Sequence, residues 1–294
     1  MPSAAAQPPS VPPRRAVVYA HFDPQGRFDP HVERALARWR TVADRLVLVS
    51  AGGGPLPATV SGLVDRCILR ANDGYDFCSW KAGLETLEAG LHDEVVCVND
   101  SVYGPLTDPA ALFADPRVTE ADLWGMVLSE QPPTGRGTRR PHLQSWFFAM
   151  RRPFLESATC AEFWRQVVPL PDKAEIIERY EIGISERALA AGFRVAALYD
   201  ARHAGRLSIG EILPHLSLAS PRRAWRLVKK CRRATHNPSE LVWWRLLAAG
   251  VPFVKVGLFR VNHYGLALRR LEEELLRRHP DHWHLIRGHL ARCG

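Results

Sequence analysis

The 294-residue sequence has few cysteines and no long apolar run. No run approaches the ~18 consecutive apolar residues of a membrane-spanning helix. The six cysteines are scattered without a Cys-x-x-Cys pair, which argues against structural zinc and against the disulfide framework of a secreted protein. Residues 1–14 are rich in Ala, Pro and Ser and lack the apolar centre of a signal peptide. We therefore expect a disordered tail on a cytoplasmic protein.

Four familiar functional motifs are also absent. There is no G-x-x-x-x-G-K-[ST] or G-x-G-x-x-G, and Pro55 directly behind Gly52, Gly53 and Gly54 disfavours a helix N-terminus there. A P-loop or a dinucleotide site is therefore weakly supported. The lack of G-x-S-x-G argues against an α/β-hydrolase, and H-E-x-x-H is missing too.

Charge is unevenly distributed along the chain. The net charge is +8, yet residues 219–294 hold 16 Lys/Arg against five Asp/Glu, a net +11 that leaves −3 for the preceding part. This asymmetry indicates an anionic partner, such as a membrane surface, nucleic acid or a phosphorylated substrate. On a helix over 221–233, Trp225, Val228 and Cys231 would form an apolar stripe among cations, which suits anionic lipid. The alternative is a solvated helix that caps a catalytic domain.

Short apolar runs alternate with helical patterns. The strand patterns are residues 16–22, 45–50, 66–70, 94–99, 121–128, 142–150 and 193–199. The helical patterns are about 30–39, 76–89, 153–167, 173–191 with a break near Gly183, 240–247 and 266–278. This alternation predicts an α/β fold with a mostly parallel, Rossmann-type sheet flanked by helices. Ligands of such sheets bind beyond the carboxyl ends of the strands.

Polar side chains are concentrated after the third and fourth predicted strands. They are the carboxylates Asp73, Asp76 and Asp100 and the amides Asn72 and Asn99. Gly74 would let the backbone approach a ligand closely. A carboxylate at the end of a buried strand is costly unless it meets a metal, a sugar hydroxyl or backbone donors. Hard oxygen ligands suit Mg²⁺ or Mn²⁺ holding a diphosphate.

Five motifs in chain order resemble the rhamnan synthesis F family of polysaccharide glycosyltransferases. They are Asn72-x-Gly74-x-Asp76, the run from Val98 to Pro105, Gln144 to Phe147, Tyr180-Glu181-x-Gly183-x-Ser185, and Asn237-Pro238 with Trp243 and Pro252-Phe253-x-Lys255. The resemblance implies a GT-A-like catalytic domain over residues 15–218 and a basic helical extension over 219–294. It also implies transfer of a sugar, with rhamnose suggested by the family name.

The resemblance implies the partners. The donor would be a dTDP-, UDP- or GDP-sugar, and the acceptor a growing cell-surface polysaccharide or a lipid-linked glycan. The protein would then be peripheral on the inner face of the membrane, bound to its anionic surface through the basic extension.

The resemblance also implies site residues. Asp100 and Glu181 would be catalytic, with Glu181 as the general base of an inverting transfer. Donor-binding residues would be His21, Asn72, Gly74, Asp76, Asn99, Ser101, Arg202 and Arg206. Acceptor-side residues would be Glu130, Gln144 and Trp146. Simpler explanations stay open: Asp76 as a helix cap, His21 as a core residue, and Glu181 as a surface carboxylate paired with Arg179 or Lys173.

The resemblance also implies a metal ion. GT-A enzymes carry Asp-x-Asp, whereas this chain has Asn99-Asp100-Ser101. Asp100 would hold Mg²⁺ or Mn²⁺, with His203 completing the ligand set. Alternatively, Asp100 binds sugar hydroxyls or a ribose.

Two other functions are compatible with the sequence. A catalytically inactive sugar- or nucleotide-binding scaffold would explain the missing Asp-x-Asp. A nucleic-acid-binding protein would explain the basic region, although no reader motif is present and the carboxylates would stay unexplained.

Overall fold

The computed structural model describes residues 13–52, 54–131, 138–217, 225 and 236–293. Residues 1–12 of the predicted tail lie outside the described residues. So does the predicted helix 221–233, apart from residue 225. The strands are β1 Arg15–His21, β2 Arg45–Ala51, β3 Arg66–Arg70, β4 Glu94–Asn99, β5 Val102–Tyr103, β6 Leu123–Ser129, β7 His142–Leu143, β8 Phe147–Arg151, β9 Val195–Asp200 and β10 Val254–Lys255.

Helices surround these strands. Those before β9 are α1 Pro30–Arg40, α2 Ala58–Ser61, α3 Tyr75–Leu84, α4 Ala110–Phe113, α5 Arg152–Leu155, α6 Ala158–Gln166, α7 Lys173–Ile176, the π-helical segment Ile177–Ile182 and α8 Gly183–Ala190. Those after it are α9 Ile209–Ile212, a 3-10 turn Leu213–His215, α10 Pro238–Leu241, α11 Trp243–Ala248, α12 Val256–Arg260, α13 Arg269–Arg278 and α14 Pro280–Cys293. In the part of the chain that the structure describes, no helix combines the length and apolar composition needed to cross a membrane.

The central sheet has eight strands in the order β3-β2-β1-β4-β8-β6, with β7 and β9 both pairing with β6. Strands β3, β2, β1 and β4 are mutually parallel, and β9 is parallel to β6. Strands β7 and β8 run antiparallel to their neighbours. The predicted α/β class, with a mostly parallel sheet between helices, is confirmed.

Each face of the sheet packs against its own apolar core. One core joins Trp39 of α1 and Phe147 of β8 to Trp243 and Ile286 of the C-terminal helices. The other joins α3, α6 and α8 to the opposite face of the sheet. The C-terminal part therefore shares a core with the α1 face, and the boundary between residues 218 and 219 stays a prediction.

Several predicted elements differ from the observed ones. The helix 76–89 ends at Leu84, and the helix 240–247 is divided at Val242 into α10 and α11. The strand 142–150 is divided into β7 and β8 by a turn. The helix 153–167 is divided into α5 and α6, because the hydroxyl of Ser157 accepts the Cys160 amide at 3.1 Å and starts a new helix. The helix 173–191 passes Gly183 without a break and contains a π-helical turn instead.

Candidate functional site

A cleft with a volume of 730 Å³ opens at the carboxyl ends of β1 and β4. His21 and Asp100 line it from these strand ends, where ligands of parallel sheets bind. Its other walls come from α10, β10, α12 and α14. The cleft therefore lies at the edge of the sheet that the sequence predicts.

Asp100 is held beside a neutral histidine. Its Oδ2 accepts the Phe22 amide at 2.7 Å and lies 4.0 Å from His21 Nε2. Nδ1 of His21 is hydrogen-bonded to the Ser50 hydroxyl at 3.0 Å. Burial raises the pKa of Asp100 to about 8 and lowers the pKa of His21 to about 4. At neutral pH this pair is therefore mainly uncharged.

A chain of hydrogen bonds links the start of α3 to β10. The side-chain Nδ2 of Asn99 donates to Asp76 Oδ2 at 2.8 Å. Asn99 Oδ1 accepts a hydrogen bond from the Ser101 hydroxyl at 2.6 Å. Lys255 Nζ donates to that hydroxyl at 2.9 Å. Asp76 does not cap α3, because the N-cap residue is Gly74. Burial raises the pKa of Asp76 as well.

Lys255, the last residue of the fifth sequence motif, lines the cleft, although the resemblance assigned it no role. Its ammonium lies in the cleft, 5.6 Å from the centre of the Trp146 ring. Burial lowers its pKa to about 8, although the charges of Glu181 and Glu240 oppose this shift. The available signal was a single cation between Val254 and Val256 in an apolar run.

Glu181 lies in the π-helical segment, next to the cleft but not among the residues that line it. Its Oε2 accepts the Ser145 amide at 2.8 Å and also the Ser145 hydroxyl. Its Oε1 lies 3.9 Å from His142 Nε2. Arg179 pairs with Glu175 at 3.1 Å, so the simple alternative of an Arg179–Glu181 pair is wrong.

Gln144 and Trp146 bind to the C-terminal part of the chain itself. Gln144 Nε2 donates to Asn237 Oδ1 at 2.8 Å, and Trp146 Nε1 donates to Gln144 Oε1 at 3.1 Å. The Ser239 hydroxyl donates to the same Gln144 oxygen. These contacts fasten α10 to the turn between β7 and β8.

The remaining predicted residues lie away from the cleft. Glu130, Arg202 and Arg206 line a second cavity of 220 Å³ near the ends of β6 and β9. The Arg202 guanidinium donates three hydrogen bonds to the Asp200 carboxylate, at 3.0, 3.2 and 2.7 Å. Asn72 is exposed on the loop after β3. The predicted donor-binding residues are therefore divided between two places.

The structure does not bring Asp100 and His203 together. His203 lies after β9, 3.7 Å from Asp200, with 81% of its side chain exposed. Strands β8 and β6 stand between β4 and β9, at about 4.8 Å per strand. Among the described residues, the three-ligand group with atoms within 4.8 Å of one another is Asp29, His31 and His289, without Asp100. Asp100 and His203 therefore do not hold one metal ion between them.

The chain is similar to two curated bacterial proteins. It is 27% identical over 229 residues to the virulence protein VirA of Vibrio anguillarum, a match that covers 75% of this chain and 70% of VirA. It is 27% identical over 134 residues to the uncharacterized protein y4gN of Sinorhizobium fredii. That match covers 45% of this chain and 34% of y4gN, so the chain spans about a third of that relative.

Among solved structures, the glycosyltransferase GlyE of Streptococcus pneumoniae is similar with a TM-score of 0.37. It shares 14% identity, and the match covers 63% of this chain and 45% of GlyE. No functional assignment rests on a likeness this distant.

The family comparison covers the chain from α2 to the 3-10 turn after β9. The profile of Rhamnan synthesis protein F matches residues 57–217, which include Asp76, Asp100 and Glu181. This match supports a transferase role in polysaccharide synthesis. Since it spans more than half of the chain, the protein belongs to the rhamnan synthesis protein F family.

Proposed function

We propose that the protein is a glycosyltransferase that binds a nucleotide-sugar donor in the cleft at the ends of β1 and β4. The observation that carries this proposal is the presence of Asp100 and Lys255 in one 730 Å³ cleft at the carboxyl ends of parallel strands. That volume lies within the ~300–1,000 Å³ typical of small-molecule sites.

Cations of the cleft suit the donor diphosphate. Lys173, Lys255 and Arg260 all line it, and Lys255 is fixed through Ser101. Such cations neutralise a diphosphate without a metal ion. Asp100 Oδ1 is not bound to Phe22. It would form a hydrogen bond with a hydroxyl of the sugar or ribose. The dTDP-, UDP- and GDP-sugars all carry these groups, and rhamnose is our first choice of sugar.

Glu181 is our choice of general base. Ser145 holds its Oε2, which leaves Oε1 to take the proton of an acceptor hydroxyl as that hydroxyl attacks the anomeric carbon. This reaction inverts the anomeric configuration. The acceptor would be a growing polysaccharide or a lipid-linked glycan, reached from an anionic membrane surface. Glu240, which lines the cleft, is a competing carboxylate.

The test measures nucleotide release from dTDP-rhamnose, UDP-sugars and GDP-sugars in the presence of glycan acceptors. The wild-type protein should release one nucleotide. We expect Glu181→Gln to lower kcat about 10²–10⁴-fold, the usual contribution of a general base. Glu240→Gln should lower kcat less than tenfold, by about 1 kcal/mol of barrier. An unchanged kcat in Glu181→Gln would remove Glu181 from this role. Donor binding without release by the wild type would instead favour the scaffold.

A further inference from the structure

A second group of chemically distinctive side chains lies in the cleft wall between α1 and α14. Ligand atoms of Asp29, His31 and His289 lie within 4.8 Å of one another. His289 Nε2 lies 3.8 Å from Asp29 Oδ2 and 3.3 Å from Cys293 Sγ. Three donors from two distant parts of the sequence thus converge, with the Cys293 thiol beside one of them, and neither the transfer reaction nor the donor site uses them.

His289 is oriented as metal-ligating histidines usually are. Nδ1 of His289 is hydrogen-bonded to the Tyr103 hydroxyl at 2.7 Å, which leaves Nε2 for Asp29 and Cys293. A partner on the far ring nitrogen fixes the tautomer of ligating histidines in this way. Nδ1 of His31 is buried and has no hydrogen-bond partner among the described residues. The His31 and His289 ring centres are 4.3 Å apart.

Arg292 supplies the neighbouring charge. Its Nε donates to Asp29 Oδ1 at 2.9 Å, and its Nη2 donates to Asp23 Oδ2 at 2.6 Å and contacts Asp29 Oδ2. Two carboxylates therefore face one guanidinium. A cation bound to Asp29 Oδ2 would replace the contact between Arg292 Nη2 and that oxygen. The Arg292 contacts with Asp29 Oδ1 and Asp23 Oδ2 would remain.

We propose that Asp29, His31, His289 and Cys293 bind one divalent ion of the zinc class. Two imidazoles, a thiolate and a carboxylate match the tetrahedral coordination that Zn²⁺ takes, and they differ from the all-oxygen sites of Mg²⁺. Cys293 loses its thiol proton to solvent on binding. Because four protein donors fill the coordination shell, the ion is structural: it fastens α14 to the start of α1. This proposal does not depend on the glycosyltransferase function.

The test uses the full-length chain, freed of metal with a chelator and titrated with Zn²⁺ and, separately, with Co²⁺. We expect one ion per chain, tetrahedral Co²⁺ absorption bands in the visible, and a thiolate-to-cobalt charge-transfer band that Cys293→Ser removes. His31→Gln and His289→Gln should each weaken Zn²⁺ binding at least tenfold. His284→Gln, an exposed residue of the same helix, should leave it unchanged. Zn²⁺ at a hundredfold excess over its Kd should raise the Tm by roughly 5 °C.

The wild-type spectrum keeps the proposal testable even if a histidine variant does not fold. A Co²⁺ spectrum without the charge-transfer band, or one that Cys293→Ser leaves unchanged, would overturn it. Substoichiometric binding would overturn it as well, and so would binding that both histidine variants retain. None of these results bears on nucleotide release, so failure here is distinguishable from failure of the proposed function.

Discussion

Asp100 and Lys255 lie in one cleft, and burial acts on them in opposite directions. It raises the pKa of the Asp100 carboxyl and lowers the pKa of the Lys255 ammonium, each to about 8. At neutral pH, Lys255 is therefore mostly charged and Asp100 mostly neutral. About one unit above pH 8, Lys255 is mostly neutral and Asp100 is mostly charged. The cleft changes from a net positive to a net negative site over this range.

Nucleotide affinity should therefore fall as the pH rises from 7 to 9. Loss of the Lys255 charge and ionisation of Asp100 both disfavour an anionic diphosphate. We expect the Kd of the wild-type protein to rise about tenfold, equivalent to about 1.4 kcal/mol. Lys255→Met should bind weakly at every pH and show a smaller pH dependence. Isothermal titration at a series of pH values measures this, and a constant Kd in the wild type would contradict it.

Asp100 should also reduce stability at alkaline pH. Its pKa is raised from 3.8 to about 8, so the folded protein binds an extra proton between these values. The free energy of unfolding should then fall as the pH rises through this window. Asp100→Asn removes the penalty, and we expect it to gain stability relative to the wild type by up to about 1.36 kcal/mol for each pH unit through this window.

Melting temperatures of the wild type and Asp100→Asn from pH 4 to 9 measure this difference. Asp108→Asn, at an exposed aspartate, is the matched control and should follow the wild type. Parallel curves for the wild type and Asp100→Asn would show that the Asp100 pKa is close to its ordinary value.

At the scale of elements, Gly74 is needed for packing at the start of α3. Its φ is +71°, and an added Cβ would lie 2.8 Å from Pro169 Cα and 2.3 Å from Cys78 Sγ. The predicted close approach of the backbone at Gly74 is real, but its partners are Cys78 and Pro169. Gly74 thereby positions Asp76 two residues later, and Asp76 in turn accepts the Asn99 amide.

Gly74→Ala should destabilise the protein more than Gly192→Ala. Gly192 has a φ of +84° with nothing within 4 Å of its added Cβ, so its substitution reports backbone strain alone. That strain costs about 1–2 kcal/mol. Crowding at Gly74 should add about 1–3 kcal/mol. Urea unfolding of both variants measures the difference, and equal free energies would mean that the Pro169 segment moves away at no cost.

Elements defined by local patterns were predictable, whereas pairings between distant segments were not. Strands β3 and β4 have the predicted bounds because each is an apolar run between polar turns. The topology rule for parallel sheets also predicted that His21 and Asp100 would share one edge. The place of Lys255 in the cleft escaped prediction because it meets Ser101 from 154 positions away. The Arg202 side chain is bound by Asp200, two residues earlier, which residue type alone does not reveal.

At the scale of the whole molecule, the C-terminal helix completes the cleft. Helix α14 reaches the loop after β1 through Arg292, which contacts Asp23 and Asp29. It reaches β5 through His289 and the Tyr103 hydroxyl. The cleft therefore depends on segments from both ends of the described chain.

Arg292→Met should loosen this closure. It leaves two mostly buried carboxylates without their cation, since only 8% of the Asp23 side chain and 12% of the Asp29 side chain are exposed. We expect a loss of about 1–3 kcal/mol in unfolding free energy, the usual cost of an unsatisfied buried group. Arg287→Met, at an exposed position of the same helix, should change it by less than about 0.5 kcal/mol. Similar losses in both variants in chemical denaturation would argue against the closure.

The most direct test of a donor site at Asp100 and Lys255 is isothermal titration of the wild type and Lys255→Met at pH 7 with dTDP, UDP, GDP and CMP. We expect one nucleoside diphosphate to bind the wild type with a stoichiometry of one, unaffected by Mg²⁺ or Mn²⁺. Lys255→Met should bind it at least tenfold more weakly. No binding of any nucleotide, or equal binding by Lys255→Met, would contradict a donor site in this cleft.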